Sequence, residues 1–195
     1  PFGTRGYGEC VVFQDKIWQL GSGKEVYWTT DGVEWTCVQP DAPYGKRSAC
    51  AVAVYKDRLW VMGGWIGQPN DPPEKHYPNS TSLNDVWSSP DGIAWTRVIE
   101  HAPWSERQWF VSEVFADRLW VIGGFSNRES KNLGESWYTE DGTTWTRFAP
   151  EPHWSARHEV TPYVFKKALW VVAGNAWPLV NDVWRLALPE GAAAP

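Results

Sequence analysis

The chain has 195 residues, a net charge of -5 and an unusual content of 16 tryptophans beside 17 glycines and 15 prolines. This composition predicts many short strands and turns rather than long helices. The acidic balance disfavours nucleic-acid binding, which needs a clustered basic surface. No apolar run approaches the ~18 residues of a membrane-spanning helix, so we expect none.

One segment recurs four times along the chain without insertion or deletion. An aromatic residue is followed three positions later by an arginine, the arginine thirteen positions later by a tryptophan, and the tryptophan by a pair of small residues. The tryptophans of the four copies are Trp18, Trp60, Trp120 and Trp170. A constant register of this kind predicts a repeat architecture, with the tryptophans filling the space between neighbouring units.

A second block completes the first three copies. It leads through Asp31-Gly32, Asp91-Gly92 or Asp141-Gly142 to a further tryptophan, and Asp-Gly between two β-rich runs predicts a tight hairpin. The fourth copy stops after Trp184 without this hairpin. Each complete copy therefore predicts four strands, and the chain predicts an all-β propeller of four-stranded antiparallel blades, three complete and the fourth incomplete.

The repeated motifs resemble those of the kelch family of β-propellers. The carriers of the resemblance are the double glycine Gly123-Gly124 after a Leu-Trp-Val-Ile strand and the run Asn84-Asp85-Val86-Trp87. The Asp-Gly-x-x-Trp ending is similar to a bacterial, galactose-oxidase-like kelch variant, which implies an extracytoplasmic location. The resemblance covers almost the whole chain and implies a fold rather than an activity, because kelch propellers serve as enzymes, ligand binders and assembly modules.

The repeat predicts one propeller domain over residues 1–188, with copies at about 2–43, 44–103, 104–153 and 154–188, and a tail at 189–195. Kelch propellers usually close with six or seven blades, so this chain is expected to form an open row. An open row exposes apolar surface and strand edges. We therefore expect a protein partner, a second copy or further sequence; a compact four-bladed ring is the alternative.

Two sets of residues are candidates for binding. The first lies on the side of the propeller formed by the loops between second and third strands and the loops between blades, where aromatic and imidazole groups suit ligands. It comprises Trp65, His76, Tyr77, His101, Trp104, His153, Trp154 and His158, with a long loop from Trp65 to Ser82. The alternative is that the aromatic before each arginine belongs to the repeat and the proline-rich loop is merely rigid.

The second set is the repeated arginine column. Its guanidinium groups could ring the channel mouth and bind anions, because the planar fork suits carboxylates. The alternative is that each arginine ties its blade to a neighbour's backbone or to a carboxylate such as Asp31, Asp85 or Asp91. The column consists of Arg5, Arg47, Arg107 and Arg157.

No catalytic motif accompanies these residues. The copper site of galactose oxidase needs a Cys-Tyr crosslink with two tyrosines and two histidines, and no cysteine lies in the matching loops. We therefore expect no metal and no cofactor, and at most one disulfide among the three cysteines. The favoured hypothesis is a non-enzymatic module for protein interaction or assembly. The alternatives are carbohydrate or small-ligand binding, and a sugar epimerase or lyase with His101, His153 or His158 as base.

Overall fold

The computed structural model describes residues 6–67 and 81–187. These residues form four successive antiparallel blade sheets and one small two-stranded sheet, with no helix among them. In the first three sheets, which are four-stranded, each strand pairs with its neighbours in chain order. The fourth sheet has three strands. The predicted all-β architecture, with three complete blades and an incomplete fourth, is confirmed.

The strands of blades 1 and 2 are β1 (Glu9–Phe13), β2 (Lys16–Leu20), β3 (Val26–Thr29), β4 (Thr36–Gln39), β5 (Ala51–Tyr55), β6 (Arg58–Ile66), β7 (Thr81–Ser89) and β8 (Thr96–Ile99). Blade 3 contains β9 (Val111–Phe115), β10 (Arg118–Ile122), β13 (Ser136–Thr139) and β14 (Trp145–Phe148), with a small hairpin of β11 (Phe125–Ser126) and β12 (Lys131–Asn132) between its second and third strands. Blade 4 consists of β15 (Thr161–Phe165), β16 (Ala168–Asn175) and β17 (Leu179–Ala187).

The predicted long loop of blade 2 begins as sheet rather than loop. Trp65 and Ile66 at the end of β6 pair with Ser82 and Thr81 at the start of β7. A register shift between Met62 and Gly64 lets the two strands continue their antiparallel pairing to Ile66 and Thr81. The expectation of a loop over the whole of Trp65 to Ser82 was therefore wrong at both ends.

Alternation along the second strand builds the core between blades. In β6, Leu59 and Val61 pack toward blade 1, whereas Trp60 packs toward blade 3. Successive side chains of a strand point to opposite sides of the sheet, which gives each blade two apolar sides. Blades 3 and 4 join through a third apolar cluster that contains Trp120. The structural role predicted for the repeated tryptophans agrees with this packing.

The Asp-Gly hairpins are wider than the two-residue turn that the sequence suggests. In blade 3 the turn spans residues 140–144 between the paired Thr139 and Trp145. One oxygen of Asp141 accepts hydrogen bonds from the backbone N–H groups of Thr143 and Thr144, both at 2.7 Å. These bonds hold the pKa of Asp141 well below its ordinary value. The aspartate therefore closes the turn as a backbone cap.

The glycine of this turn lies against the tryptophan of the preceding blade. A Cβ on Gly142 would fall 2.1 Å from the Trp60 ring, and a Cβ on Gly92 would fall 2.1 Å from Trp18. Both glycines have positive φ, 79° and 72°. Backbone conformation and close approach both require glycine here. The same position in blade 1, Gly32, has no atom within 4 Å of a built Cβ.

The blades form an open row. The first strands pack in the order β1, β5, β9 and β15, and among the described residues no comparable packing joins β15 back to β1. Tyr163 and Phe165 on blade 4 are 52% and 59% exposed, and Val12 on blade 1 is 71% exposed. Both ends of the row therefore leave apolar side chains in solvent, in agreement with the expected open arrangement.

The three cysteines are free thiols, with Cys50 buried and Cys10 and Cys37 exposed. No helix in the described ranges is long and apolar enough to cross a membrane.

Candidate functional site

The arginine column holds each blade together. Arg47 is 2% exposed and donates from Nη1 to the Gly63 carbonyl at 2.9 Å and to Asp85 Oδ1 at 2.8 Å. A second bond runs from Nη2 to Asp85 Oδ2 at 2.9 Å, and the same oxygen accepts from Trp87 Nε1 at 2.7 Å. The guanidinium thus connects the Gly63 carbonyl in the second strand to the carboxylate two residues before the third-strand tryptophan.

Blades 3 and 4 repeat this arrangement. Arg107 donates to the Gly123 carbonyl and to Glu135 Oε1, at 2.9 and 2.8 Å, and burial lowers its pKa to about 10. Arg157 donates to the Ala173 carbonyl at 3.1 Å and to both oxygens of Asp182. All three guanidinium groups are buried and donate hydrogen bonds to partners in their own blades. Their geometry matches the alternative in which each arginine binds backbone carbonyls or a carboxylate and stabilises the fold. Asp85 is the one partner that the sequence identified. Arg5 lies outside the described residues.

The two candidate tryptophans of the interblade loops are core residues. Trp104 is 2% exposed and meets Trp145 edge-on at a centroid distance of 4.4 Å. Trp154 is 7% exposed and packs against Trp184 with centroids 6.2 Å apart. Both belong to apolar clusters between blades. They do not present a surface to a ligand, because the interblade packing covers them.

The remaining predicted residues are spread along the loop side. His101 is exposed and its Nδ1 lies 3.3 Å from Asn84 Oδ1. His153 donates from Nδ1 to the Trp154 carbonyl at 2.8 Å, and burial lowers its pKa. Trp65 is half-buried. His76 and Tyr77 lie outside the described residues. No compact constellation joins His101, His153 and Trp65 within the part of the chain that is described.

His158 is the predicted residue with the densest surroundings. Its ring stacks on Trp109 at a centroid distance of 5.3 Å and an interplanar angle of 29°. Phe125 and Trp177 lie at 5.8 and 6.0 Å from the same ring. Burial lowers the pKa of His158, which favours the neutral imidazole at neutral pH. The sequence placed His158 on this side but gave no sign of the aromatic residues that surround it.

The residue two positions after each arginine belongs to a ladder of backbone hydrogen bonds that connects neighbouring blades. Ala49 N–H donates to the Tyr7 carbonyl, Trp109 N–H to Ala49, and Glu159 N–H to Trp109, at 3.2, 3.1 and 2.9 Å. All four residues have φ between 51° and 55°. Their identity differs in every copy while their backbone does not. In the sequence, these positions could have been recognised because the residue differs in every copy although its spacing from the repeated arginine is constant.

The end of the row presents a groove that we call the blade-4 face. It has a volume of about 460 Å³ and is lined by Tyr163, Val164, Phe165, Trp170 and Val172. The turn beside it carries Lys166 and Lys167, both with left-handed backbone. The other three blades have Asp15, Asp57 or Asp117 at the second position of this turn, so a doubly basic turn is particular to blade 4.

The opposite end, which we call the blade-1 face, carries Val12 and Ile17, 71% and 37% exposed. By the repeat alignment these residues occupy the positions of Val54 and Leu59, which pack against blade 1. The hairpin glycine Gly32 also belongs to this face, and no atom lies within 4 Å of a Cβ built on it. The blade-1 face thus presents residues aligned with some of those that contact the preceding blade inside the row.

Comparison with known proteins agrees with the architecture. Residues 46–88 match the family model for the Kelch motif. No curated protein matches the chain. Among solved structures, one described as "Structure of YjhT" is similar, with a TM-score of 0.72 and 16% sequence identity; the alignment covers 97% of this chain and 67% of that one. At this identity the likeness concerns the fold.

Proposed function

Because the chain is a kelch-type β-propeller with an uncovered end, we propose that it is a non-enzymatic assembly module that binds a further protein blade on its blade-4 face. The observation that carries the proposal is the environment of one repeated tryptophan. Trp18, Trp60 and Trp120 are 2%, 4% and 3% exposed beneath the next blade. Trp170 occupies the same repeat position and lines an open groove instead.

The internal interfaces specify what fits this groove. In each, the next blade places two aliphatic side chains of its second strand beside the tryptophan. Blades 2 and 3 also place a hairpin glycine on it, whereas blade 4, whose described residues form three strands, covers Trp120 without one. An aromatic side chain buries ~150–250 Å² when covered in this way. The occupant of the blade-4 face is therefore a β-blade rather than an extended peptide.

The blade-1 face of a second copy offers matching groups. Gly32 has φ of 76°, like Gly92 and Gly142, and nothing lies within 4 Å of its Cβ direction. Ile17 occupies the position of Leu59, Val12 of β1 adds an aliphatic side chain at the position of Val54, and the position of Val61 is occupied by Gln19. We therefore take the partner to be a second copy of the chain, bound head to tail.

Charge favours the same pairing. Inside the row, the Tyr55 hydroxyl donates to the Asp117 carbonyl of the next blade at 2.7 Å, so the β9–β10 turn lies beside the first turn of blade 2. In a head-to-tail pair the corresponding neighbours are Asp15 of one copy and Phe165-Lys166 of the other. Opposite charges at a partly covered rim steer association and fix its orientation.

The experiment is light scattering of the chain over a range of concentrations. A head-to-tail contact is heterologous and produces closed rings or open chains, so the expected mass is at least twice the 22.2 kDa of one chain and rises with concentration. Protection of the Cys10 thiol on association is a second readout, because Cys10 aligns with Val52, which is buried against blade 1.

The decisive variant is Phe165→Glu. The other three blades have an aromatic residue at this repeat position, Phe13, Tyr55 or Phe115, each at most 5% exposed, whereas Phe165 is 59% exposed, so the substitution is tolerated by the single chain but places a charge in the groove. We expect association to weaken by about tenfold or more, since an unpaired buried charge costs several kcal/mol. The matched control is Ile93→Glu, which changes a 51% exposed apolar residue on an outer hairpin. A chain that stays monomeric at high concentration, or equal loss in both variants, would refute the proposal.

A further inference from the structure

A cluster on the loop side combines a histidine, a glutamate and an exposed tryptophan that the assembly proposal does not use. Trp177 is 71% exposed and lies in the connection between β16 and β17. The side chain of Glu159 is 49% exposed, and that of His158 is 5% exposed. The three come from two neighbouring segments held together by paired backbone bonds between His158 and Asn175, at 3.1 and 2.8 Å.

Asn132 fixes the protonation of the imidazole. Its Nδ2 donates to the Asn175 carbonyl at 2.8 Å, and a carbonyl can only accept, so Oδ1 must be the atom that faces His158. His158 Nδ1 lies 2.7 Å from that oxygen and therefore carries the proton. In the neutral ring, Nε2 is then left with its lone pair as a hydrogen-bond acceptor.

The second acceptor lies close to the first. Glu159 Oε2 is 3.9 Å from His158 Nε2, too far for a direct hydrogen bond. Two acceptors at this separation suit a ligand that donates from two neighbouring groups. Glu159 is held in place by its left-handed backbone, φ 53°, and by its N–H bond to the Trp109 carbonyl.

The Trp177 ring supplies an apolar surface beside these acceptors. Its centroid lies 6.0 Å from the His158 ring at an interplanar angle of 47°. Neighbouring hydroxyl donors on a ring with an apolar C–H side are the property of a sugar. A small ammonium ion would donate to the same two acceptors, but only a sugar ring adds a C–H side that covers Trp177, so methylammonium is the competing probe in the titration.

We propose that His158, Glu159 and Trp177 form a binding site for a pyranose sugar with a vicinal diol. One hydroxyl donates to His158 Nε2, the adjacent hydroxyl donates to the Glu159 carboxylate, and the C–H side of the ring lies on Trp177. Asn132 is a positioning residue, which keeps Nε2 unprotonated. None of the three binding residues is among those that line the groove of the blade-4 face, and titration in dilute solution tests the sugar site without association.

The test is an NMR titration of the whole chain with methyl β-D-galactopyranoside and, separately, methyl α-D-mannopyranoside. At least one is expected to shift the indole signal of Trp177 and the ring signals of His158 in a saturable way. Tetrahydropyran, which has the ring but no hydroxyls, is expected to leave the His158 signals unmoved. If neither glycoside shifts these signals, or if tetrahydropyran shifts them equally, the diol proposal is refuted.

Variants separate binding from folding. Trp177→Ala and Glu159→Gln are each expected to weaken binding about tenfold, by removing an exposed ring or a charged acceptor. Tyr163→Ala is the matched control, since it removes an exposed aromatic from the blade-4 face and should leave sugar binding unchanged. Nitrogen chemical shifts of His158 give an independent readout of the tautomer: protonation on Nε2 rather than Nδ1 would overturn the assignment of the acceptor.

Discussion

Alanine substitution at the three hairpin glycines tests how the blades pack. Gly32, Gly92 and Gly142 have the same turn and almost the same φ, 76°, 72° and 79°. They differ in what an added Cβ would meet. It would meet a tryptophan ring of the preceding blade at 2.1 Å for Gly92 and Gly142, and nothing within 4 Å for Gly32. Gly32 is thus an internal control for backbone strain.

The expected cost has two parts. A left-handed backbone is unfavourable for alanine by roughly 1–2 kcal/mol, and all three variants bear this cost. Insertion of a methyl group into the packed interface adds about 1–3 kcal/mol for Gly92→Ala and Gly142→Ala. Each kcal/mol lowers the melting temperature of a chain of this size by about 2–4 °C. The two interface variants are therefore expected to melt roughly 2–12 °C below Gly32→Ala.

The measurement is thermal and urea unfolding of the three variants in dilute solution. Equal destabilisation of all three would show that the glycines are required by the turn alone, and would refute the packing of hairpin on tryptophan. Gly32→Ala has a second use. A head-to-tail pair would bring Gly32 onto Trp170, so Gly32→Ala should weaken self-association. Of the three variants, it should also destabilise the single chain the least.

Three further predictions follow from buried polar groups. Burial raises the pKa of the Cys50 thiol to about 12, so in dilute solution an aromatic disulfide reagent should modify the two exposed cysteines quickly and Cys50 only on unfolding. Tyr55→Phe should destabilise the chain by about 1 kcal/mol in urea titration, because the hydroxyl donates to carbonyls of blade 3 while phenylalanine fits the position in the other blades. Hydrogen bonds from Arg157 lower the pKa of Asp182 to about 2, so this pair stabilises the fold above pH ~4 and loses its contribution as the pH falls toward 2; Asp182→Asn should flatten that part of the stability profile, and an unchanged slope would contradict the pairing.

The repeat made the fold predictable, because four copies in one register specify the strands, their order and the missing last strand. It also predicted that tryptophans lie between blades. It could not decide between the two roles of Trp104, since the exposure of an aromatic before a turn depends on how the next blade packs. The structure places it edge-on against Trp145, which is distant in sequence.

The arginine column shows a similar limit. The sequence indicated an ion pair within the structure as one alternative and identified Asp85, but not Glu135 or Asp182. The acidic partner lies in the second block of each copy, at a variable distance along the chain. Because the loop length differs between copies, the arginine and its acidic partner have no constant spacing, and the sequence does not reveal the pair. In blades 2 to 4 the pairing is uniform in space, because each of these blades brings the acidic residue two positions before its third-strand tryptophan beside its arginine.

The surroundings of His158 could not be predicted for a different reason. Asn132 belongs to blade 3 and Trp177 to blade 4, so the cluster exists only because two blades pack side by side. Neither residue occupies a repeated position, and no motif connects them. A site of this kind is visible only once the distance between loops is known.

The four positions two residues after each arginine show how a constant repeat can carry different side chains. Tyr7, Ala49, Trp109 and Glu159 all have left-handed backbone, which costs non-glycine residues of order 1–3 kcal/mol each unless the surroundings compensate. The ladder of N–H bonds from each blade to the preceding one offers that compensation through the backbone alone. Because the side chains take no part in the ladder, they can differ from blade to blade without disturbing it. Substitution at Glu159 should consequently alter sugar binding while leaving blade packing intact.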